Sequence, residues 1–217
     1  MPSAHISKRK GHRDCNGGVS RKRVATVDPN PQDHRPAVDL EGVELAIYAL
    51  LKAIGEDPER DGLRGTPGRV ARFWKEFIDY NAGNCEAAFQ HVTTDQMVVV
   101  SGMRVWSLCE HHLLPFSCDV TVGYIAQGKV LGLSKFARIA HEIAHRLQIQ
   151  ERIAHQIADS VEKLSGASDV AVLTRGEHLC MTMRGIKTRG TMGTSVMRGA
   201  FRHSPEARAE FMELARS

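Results

Sequence analysis

Ser107-Leu108-Cys109-Glu110-His111-His112-Leu113-Leu114-Pro115-Phe116 and, far downstream, His178-Leu179-Cys180 are the stretches from which this chain is best read. Cys109 and His112 stand three residues apart, close enough to grip one ion, and Cys180 offers a third donor from elsewhere in the fold. Two thiolates and one imidazole suit zinc. Three protein donors leave the fourth tetrahedral position open, which separates a catalytic site from a structural one. His111 and His178 flank the donors and are candidates to move protons. The pattern points to metal-assisted hydrolysis.

Working outward, the flanking segments read as strands. Met97–Val100 and Val105–Leu108 are short apolar runs, and Cys118, Val120, Val122 and Tyr124 alternate with Asp119, Thr121 and Gly123 as in a half-buried strand. Val170–Thr174 and His178–Arg184 read as the last strands. Side chains two apart in a strand share a face. His178, Cys180, Thr182 and Arg184 are therefore expected to line one side, with Leu179, Met181 and Met183 entering the core. A core histidine beside a structural cysteine is the plainer alternative; the Cys109–His112 pair argues against it.

Helical spacing marks four further segments. Val43, Ala46, Ile47, Leu50, Leu51 and Ile54 share one helical face, and Gly55 fits the end of that helix. Thr66-Pro67 reads as a cap and first-turn proline ahead of Val70, Phe73, Trp74, Phe77 and Ile78. Ser134 reads as the cap of a helix whose apolar face is Phe136, Ile139, Ile143 and Leu147. Ile153, Ile157, Val161 and Leu164 belong to a fourth, with Gly166 just past its end. The expected fold class is α+β: helices first, then antiparallel hairpins interrupted by a helical pair.

The chain has 217 residues, 42% hydrophobic and 25% charged, which suits a soluble globular protein. No apolar run approaches the roughly 18 residues needed to span a bilayer, and the N-terminus lacks the apolar stretch of a secretory signal. A cytoplasmic location is the expectation. Five cysteines in irregular spacing favour metal binding or free thiols over a disulfide framework; Cys15, Cys85 and Cys118 read as non-ligands. Residues 1–37 hold eight Lys/Arg against three Asp, net +5, and the rest 21 against 22, net −1. Residues 1–37 thus read as a basic, disordered tail, and residues 38–217 as the catalytic domain. With the folded part nearly neutral, a nucleic-acid partner is not expected.

Cys109–Phe116, Gly132-Leu133-Ser134-Lys135, Gln148–Arg152, His178-Leu179-Cys180 with Met183-Arg184-Gly185, and Gly62–Arg69 together resemble the GTP cyclohydrolase I family over roughly residues 39–202. The resemblance implies a tunnelling fold: antiparallel sheet with helices on one face, preceded by N-terminal helices. Sheets from several subunits join into a β-barrel ring, and two rings stack into a homodecamer with sites between subunits. It implies GTP as substrate and Zn2+ held by Cys109, His112 and Cys180. C8 of the guanine leaves as formate, and the remainder rearranges to 7,8-dihydroneopterin triphosphate, the first step of folate- and tetrahydrobiopterin-type pteridine synthesis. It implies that His178 protonates the imidazole ring and His111 assists later proton transfers. Glu151 binds guanine, and Ser134, Lys135, Arg138, Arg184 and Arg69 bind the triphosphate. A carboxylate at Glu151 matches the paired N1–H and amino donors of guanine, which adenine lacks. Arginine's planar fork suits phosphate.

Two competing readings remain at this stage. A related tunnelling-fold enzyme reduces a nitrile on a deazaguanine with a nucleophilic cysteine and NADPH, without catalytic zinc; the complete Cys109/His112/Cys180 set with His178 speaks against it. A non-catalytic scaffold with structural zinc leaves Glu151, Lys135 and Arg184 unexplained.

Overall fold

The computed structural model describes residues 37–85, 88–90 and 96–216. The expected disordered tail lies, through residue 36, outside the described residues. Two helices lead, α1 (Leu40–Ala53) and α2 (Thr66–Ile78). Asp39 caps α1: its Oδ1 accepts the Gly42 N–H at 3.0 Å, satisfying a donor that the first helical turn leaves free. Gly55 follows with φ +87°, a backbone region that favours glycine. At α2 the expected cap shifts by one residue. Gly65 takes the cap position without a side-chain bond, Thr66 is already helical, and Pro67 lies in the first turn. The two helices pack on each other, yet Leu45 and Leu50 of α1 and Ile54 at its C-terminal cap stay more than half exposed.

The main sheet has five strands in the order β5-β2-β3-β6-β7. These are β2 (Met97–Cys109), β3 (Pro115–Ile125), β5 (Leu147–Gln148), β6 (Val170–His178) and β7 (Met192–Met197); β1 (Ala88–Gln90) pairs separately with β4 (Lys129–Leu131). Neighbours are antiparallel except β5, which joins β2 in parallel through Leu108↔Leu147 and Cys109↔Gln148. The two apolar runs at residues 97–108 form one strand, not two. A register shift between Val100 and Met103, with Gly102 at φ +72°, accounts for the break in their pattern.

One face of the sheet carries α3 (Leu133–Ala144) and α4 (Gln150–Ser165). Val105, Cys118, Val120, Val122, Tyr124, Val170 and Val172 meet Phe136, Ile139, Ile143, Ile153, Ile157 and Val161 there, all nearly or wholly buried. Each such aliphatic side chain contributes about 1.5–3 kcal/mol on burial. The expected helical faces of α3 and α4 are the ones buried, except that α3 ends at Ala144 and Leu147, expected on its face, belongs to β5. Ser134 does not cap α3; it lies inside the first turn, with Gly132 at the cap. Gly166 ends α4 at φ +75°, as expected.

Residues beyond the last motif add a helical pair that periodicity did not suggest, α6 (Ala200–His203) and α7 (Pro205–Leu214), the latter capped by Ser204. Phe201 and Phe211 cover Ala171 on the opposite side of the sheet. A Cβ at Gly123 would lie 2.6 Å from the Phe211 ring, so glycine there admits the phenyl group. This second cover explains why β3 is buried on both faces from Val120 to Tyr124. Among the described residues no helix is long and apolar enough to cross a membrane.

One expectation fails. His178–Arg184 is not a strand: β6 ends at His178, and Leu179–Thr182 form one helical turn, α5. The final β3–β6 pair is Phe116↔His178. The next residue on β3 is Pro115, which has no N–H to extend a ladder. The alternation that was to place residues 178, 180, 182 and 184 on one face therefore does not exist.

Candidate active site

The site forms where β2 runs out. The Cys109 N–H donates to the Leu114 carbonyl at 2.9 Å, and the His112 and Leu113 N–H groups donate back to the Cys109 carbonyl at 3.3 and 2.8 Å. This tight turn folds His112 over Cys109, with Sγ and Nδ1 3.7 Å apart. Leu113 takes φ +55° to close it; an L-residue with a Cβ stores about 1–2 kcal/mol there. The parallel pairing of β2 with β5 brings in the start of α4, and the Glu110 N–H donates to the Gln148 carbonyl at 3.1 Å.

Cys180 arrives from α5. The donor atoms of Cys109, His112 and Cys180 all lie within 4.8 Å of one another, and no fourth His, Cys, Asp or Glu joins that group among the described residues. His111 approaches from the same turn, Nδ1 3.9 Å from the Cys109 sulfur. Burial and the neighbouring Cys109 sulfur push the Cys180 thiol up, and Arg184 opposes them. Two sulfurs crowded in this way fit a shared divalent cation, which removes the like-charge penalty. Cys118 does not take part. It faces the core from β3, and burial pushes its thiol up to about 12.

The three donors open onto a cavity of about 230 Å³ whose wall includes His111, His178, Glu151, Gln150 and Met192. His178 stacks on Phe116, ring centroids 4.5 Å apart and 8° from parallel. Burial holds its imidazole below the ordinary histidine range, and the Glu151 carboxylate partly offsets this. Glu151 sits in the first turn of α4. Arg184 reaches back so that its Nη1 donates to His112 Nε2 at 3.0 Å. Helical winding at α5 thus delivers Cys180 to the cavity, and Arg184, just past that turn, reaches His112; strand alternation was expected to supply both.

Four expected phosphate contacts are elsewhere. Ser134, Lys135 and Arg138 lie on α3 and form no part of this cavity wall. The Lys135 ammonium donates to the Asn84 carbonyl, and Arg138 to that of Ala82, so both hold the loop after α2. Arg69 donates to Thr66 Oγ1 at 2.9 Å and to the Gly62 carbonyl at 3.3 Å.

Sequence reasoning assigned no role to Gln148, Gln150 or Arg152. Arg152 grips Glu110. The two form a bidentate ion pair, Nη1–Oε2 2.6 Å and Nη2–Oε1 3.1 Å, that holds the Glu110 carboxyl below its usual range. Gln150 is wholly buried. A buried amide in the first turn of an amphipathic helix breaks the apolar pattern, and that break was the available signal.

Residues 43–216 match the family model described as GTP cyclohydrolase I. A GTP cyclohydrolase 1 from Hyperthermus butylicus is 46% identical over 173 residues, covering 80% of this chain and 89% of that protein. One from Bifidobacterium longum (strain NCC 2705) is 49% identical over 181 residues, covering 81% and 90%. A third, from Rhodopirellula baltica, is 44% identical over 192 residues, covering 87% and 83%. Among solved structures, an archaeosine synthase QueF-like protein in the apo form is similar over 48% of this chain and 95% of its own, with a TM-score of 0.34 and 18% identity. The Cys–His–Cys group, its cavity and these matches along nearly all of the folded chain have one consequence: this chain belongs to the GTP cyclohydrolase I family.

Proposed function

We propose that the protein is a zinc-dependent GTP cyclohydrolase I, which opens the imidazole ring of GTP by hydrolysis, releases C8 as formate and yields 7,8-dihydroneopterin triphosphate. The observation that carries this reading is the convergence of Cys109, His112 and Cys180, with no fourth protein donor in the group among the described residues, beside a cavity whose wall includes His111, His178 and Glu151. Those three residues would hold the ion, and zinc in such an open site supplies an activated water nucleophile near neutral pH.

The chain's own residues do the rest. Glu151 accepts the N1–H and amino donors of guanine, which seats the purine with its five-membered ring toward His178. His178 gives a proton to a ring nitrogen as the C8 bond is broken. His111 serves the later proton transfers of ring opening and sugar rearrangement; an imidazole suits both tasks because its ordinary pKa lies near working pH. Arg184, which donates to His112, meets phosphate.

Ser134, Lys135, Arg138 and Arg69 complete the triphosphate site from another copy of the chain. Two features support this assembly. The four side chains lie away from the cavity of their own chain, and α1 with its C-terminal cap leaves Leu45, Leu50 and Ile54 exposed as a helix made to be covered does. A homodecamer of two rings is the assembly we assign. The deciding experiment incubates purified protein with GTP, with and without a chelator. Formate and, after oxidation, a fluorescent pterin are expected only in the metal-replete sample. No formate from metal-replete protein overturns the proposal.

A further inference from the structure

Gln150 opens α4 with its side chain fully buried, a rare setting for an amide unless every polar atom is used. Here every one is. Its Nε2 donates to the Met192 carbonyl at 2.9 Å, to Thr174 Oγ1 at 3.0 Å and to the Thr174 carbonyl at 3.3 Å. Carbonyl oxygens only accept, so the amide nitrogen must face them and the amide oxygen must point the other way. That oxygen lies 2.9 Å from His178 Nε2. It fills space that a side chain at residue 176 would take: a Cβ on Gly176 would come within 2.3 Å of it.

The chemistry of the pair follows. An amide oxygen cannot donate, so His178 Nε2 carries the hydrogen. A neutral imidazole has a single N–H, which leaves Nδ1 bare. Phe116 stacks flat on the ring and Gln150 pins one edge of it, so the ring keeps one orientation at the cavity wall.

We propose that Gln150 is a positioning residue: it holds His178 as the Nε2–H tautomer, so that proton exchange with bound substrate runs through Nδ1. The role rests on the functional reading above. In the imidazolium both nitrogens carry hydrogen. The Nδ1 proton passes to the lone pair of a substrate ring nitrogen and forms the new N–H bond. The neutral Nε2–H imidazole left behind keeps its bond to Gln150 throughout, so no rearrangement of the ring accompanies the transfer.

Two measurements test this. The first is a double-mutant cycle on the full chain with GTP. Gln150→Met removes the acceptor at similar volume; kcat is expected to fall about 10- to 100-fold with KM and metal content near those of the parent. In a His178→Ala background the same change is expected to cost less than about threefold, because the residue it acts through is already gone. An equal fall in both backgrounds makes Gln150 merely structural and overturns the role. No turnover by the wild-type protein overturns the functional reading instead. The second measurement needs neither turnover nor a tolerated Gln150 variant. Solid-state 15N spectra of histidine-labelled wild-type protein, with His178 assigned by its loss in His178→Ala, should show Nε2 protonated and Nδ1 bare. A protonated Nδ1 with a bare Nε2 overturns the proposal.

Discussion

Glu110 and Arg152 meet in a two-pronged ion pair, 2.6 and 3.1 Å between paired atoms, that bolts the start of α4 to the turn carrying Cys109 and His112. Arg152 Nη1 also donates to Gln148 Oε1 at 3.2 Å, and Gln148 Nε2 donates to the Ile143 carbonyl at 3.1 Å. The chain of bonds therefore runs from the turn carrying Cys109 and His112 through α4 to the end of α3. Glu110→Ala is expected to lower stability by about 1 kcal/mol, a value discounted for the partial exposure of both side chains. It should also loosen metal retention about tenfold, because the turn loses its brace. Denaturant midpoints and chelator competition measure the two effects; unchanged metal retention would remove Glu110 from the support of the site.

Cys180→Ser should lose bound metal and turnover together, with metal per chain down at least about tenfold, since a hydroxyl is a poor substitute for a thiolate. Cys118→Ser should keep its metal, because that thiol faces the core. Elemental analysis of both purified variants decides. Full occupancy in Cys180→Ser would mean that another donor replaces it.

For His178→Ala, metal and GTP binding should persist while formate production falls about 10²- to 10⁴-fold, the usual weight of a general acid. Metal content, equilibrium GTP binding and single-turnover formate release are the readouts. Near-normal release would transfer the protonation to another group.

Glu151→Gln replaces an acceptor-only group by one that presents a donor to a donor. Preference for GTP over ATP is expected to drop about 10- to 100-fold, in line with losing a hydrogen bond to a charged group. Competition binding of the two nucleotides measures it, and an unchanged ratio would take Glu151 out of base recognition.

Away from the site, Arg104 and Asp119 pair across β2 and β3 at 2.7 and 2.8 Å. Arg104 holds the Asp119 carboxyl below its usual range. A depressed carboxyl stabilises the fold above its unfolded value, about 4, and that contribution disappears as pH falls through the folded value. Both side chains are largely exposed, so Arg104→Met should cost little stability at neutral pH and less in high salt. Chemical unfolding at several pH values should show the difference from wild type shrinking toward zero in acid; a constant difference would assign the effect to packing.

Much of this architecture is legible in local patterns. The helical faces at Phe136–Ile143 and Ile153–Val161 and the alternation at Cys118–Tyr124 are the surfaces that the core buries. Their periods are short, and burying such a face does not depend on the partner's identity. The broken pattern at residues 97–108 misled because a bulge preserves pairing while shifting the period. Residues 178–184 misled because an alternating stretch says nothing about whether a partner strand continues beside it. Here the partner has a proline where the ladder would go on.

Read alone, the chain already specifies its donor chemistry: two sulfurs and an imidazole, with the Cys109–His112 spacing set by one tight turn. That information is local and survives without knowledge of the fold. Which distant groups join them is not local. Cys180 enters through a helical turn, Gln150 turns inward to hold His178, and Lys135 and Arg138 bind a loop of their own chain instead of the cavity. Strand register, the end of the β3–β6 ladder and the close packing of α4 on the sheet settle these placements, because contacts between residues far apart in sequence exist only once the whole core has formed around them.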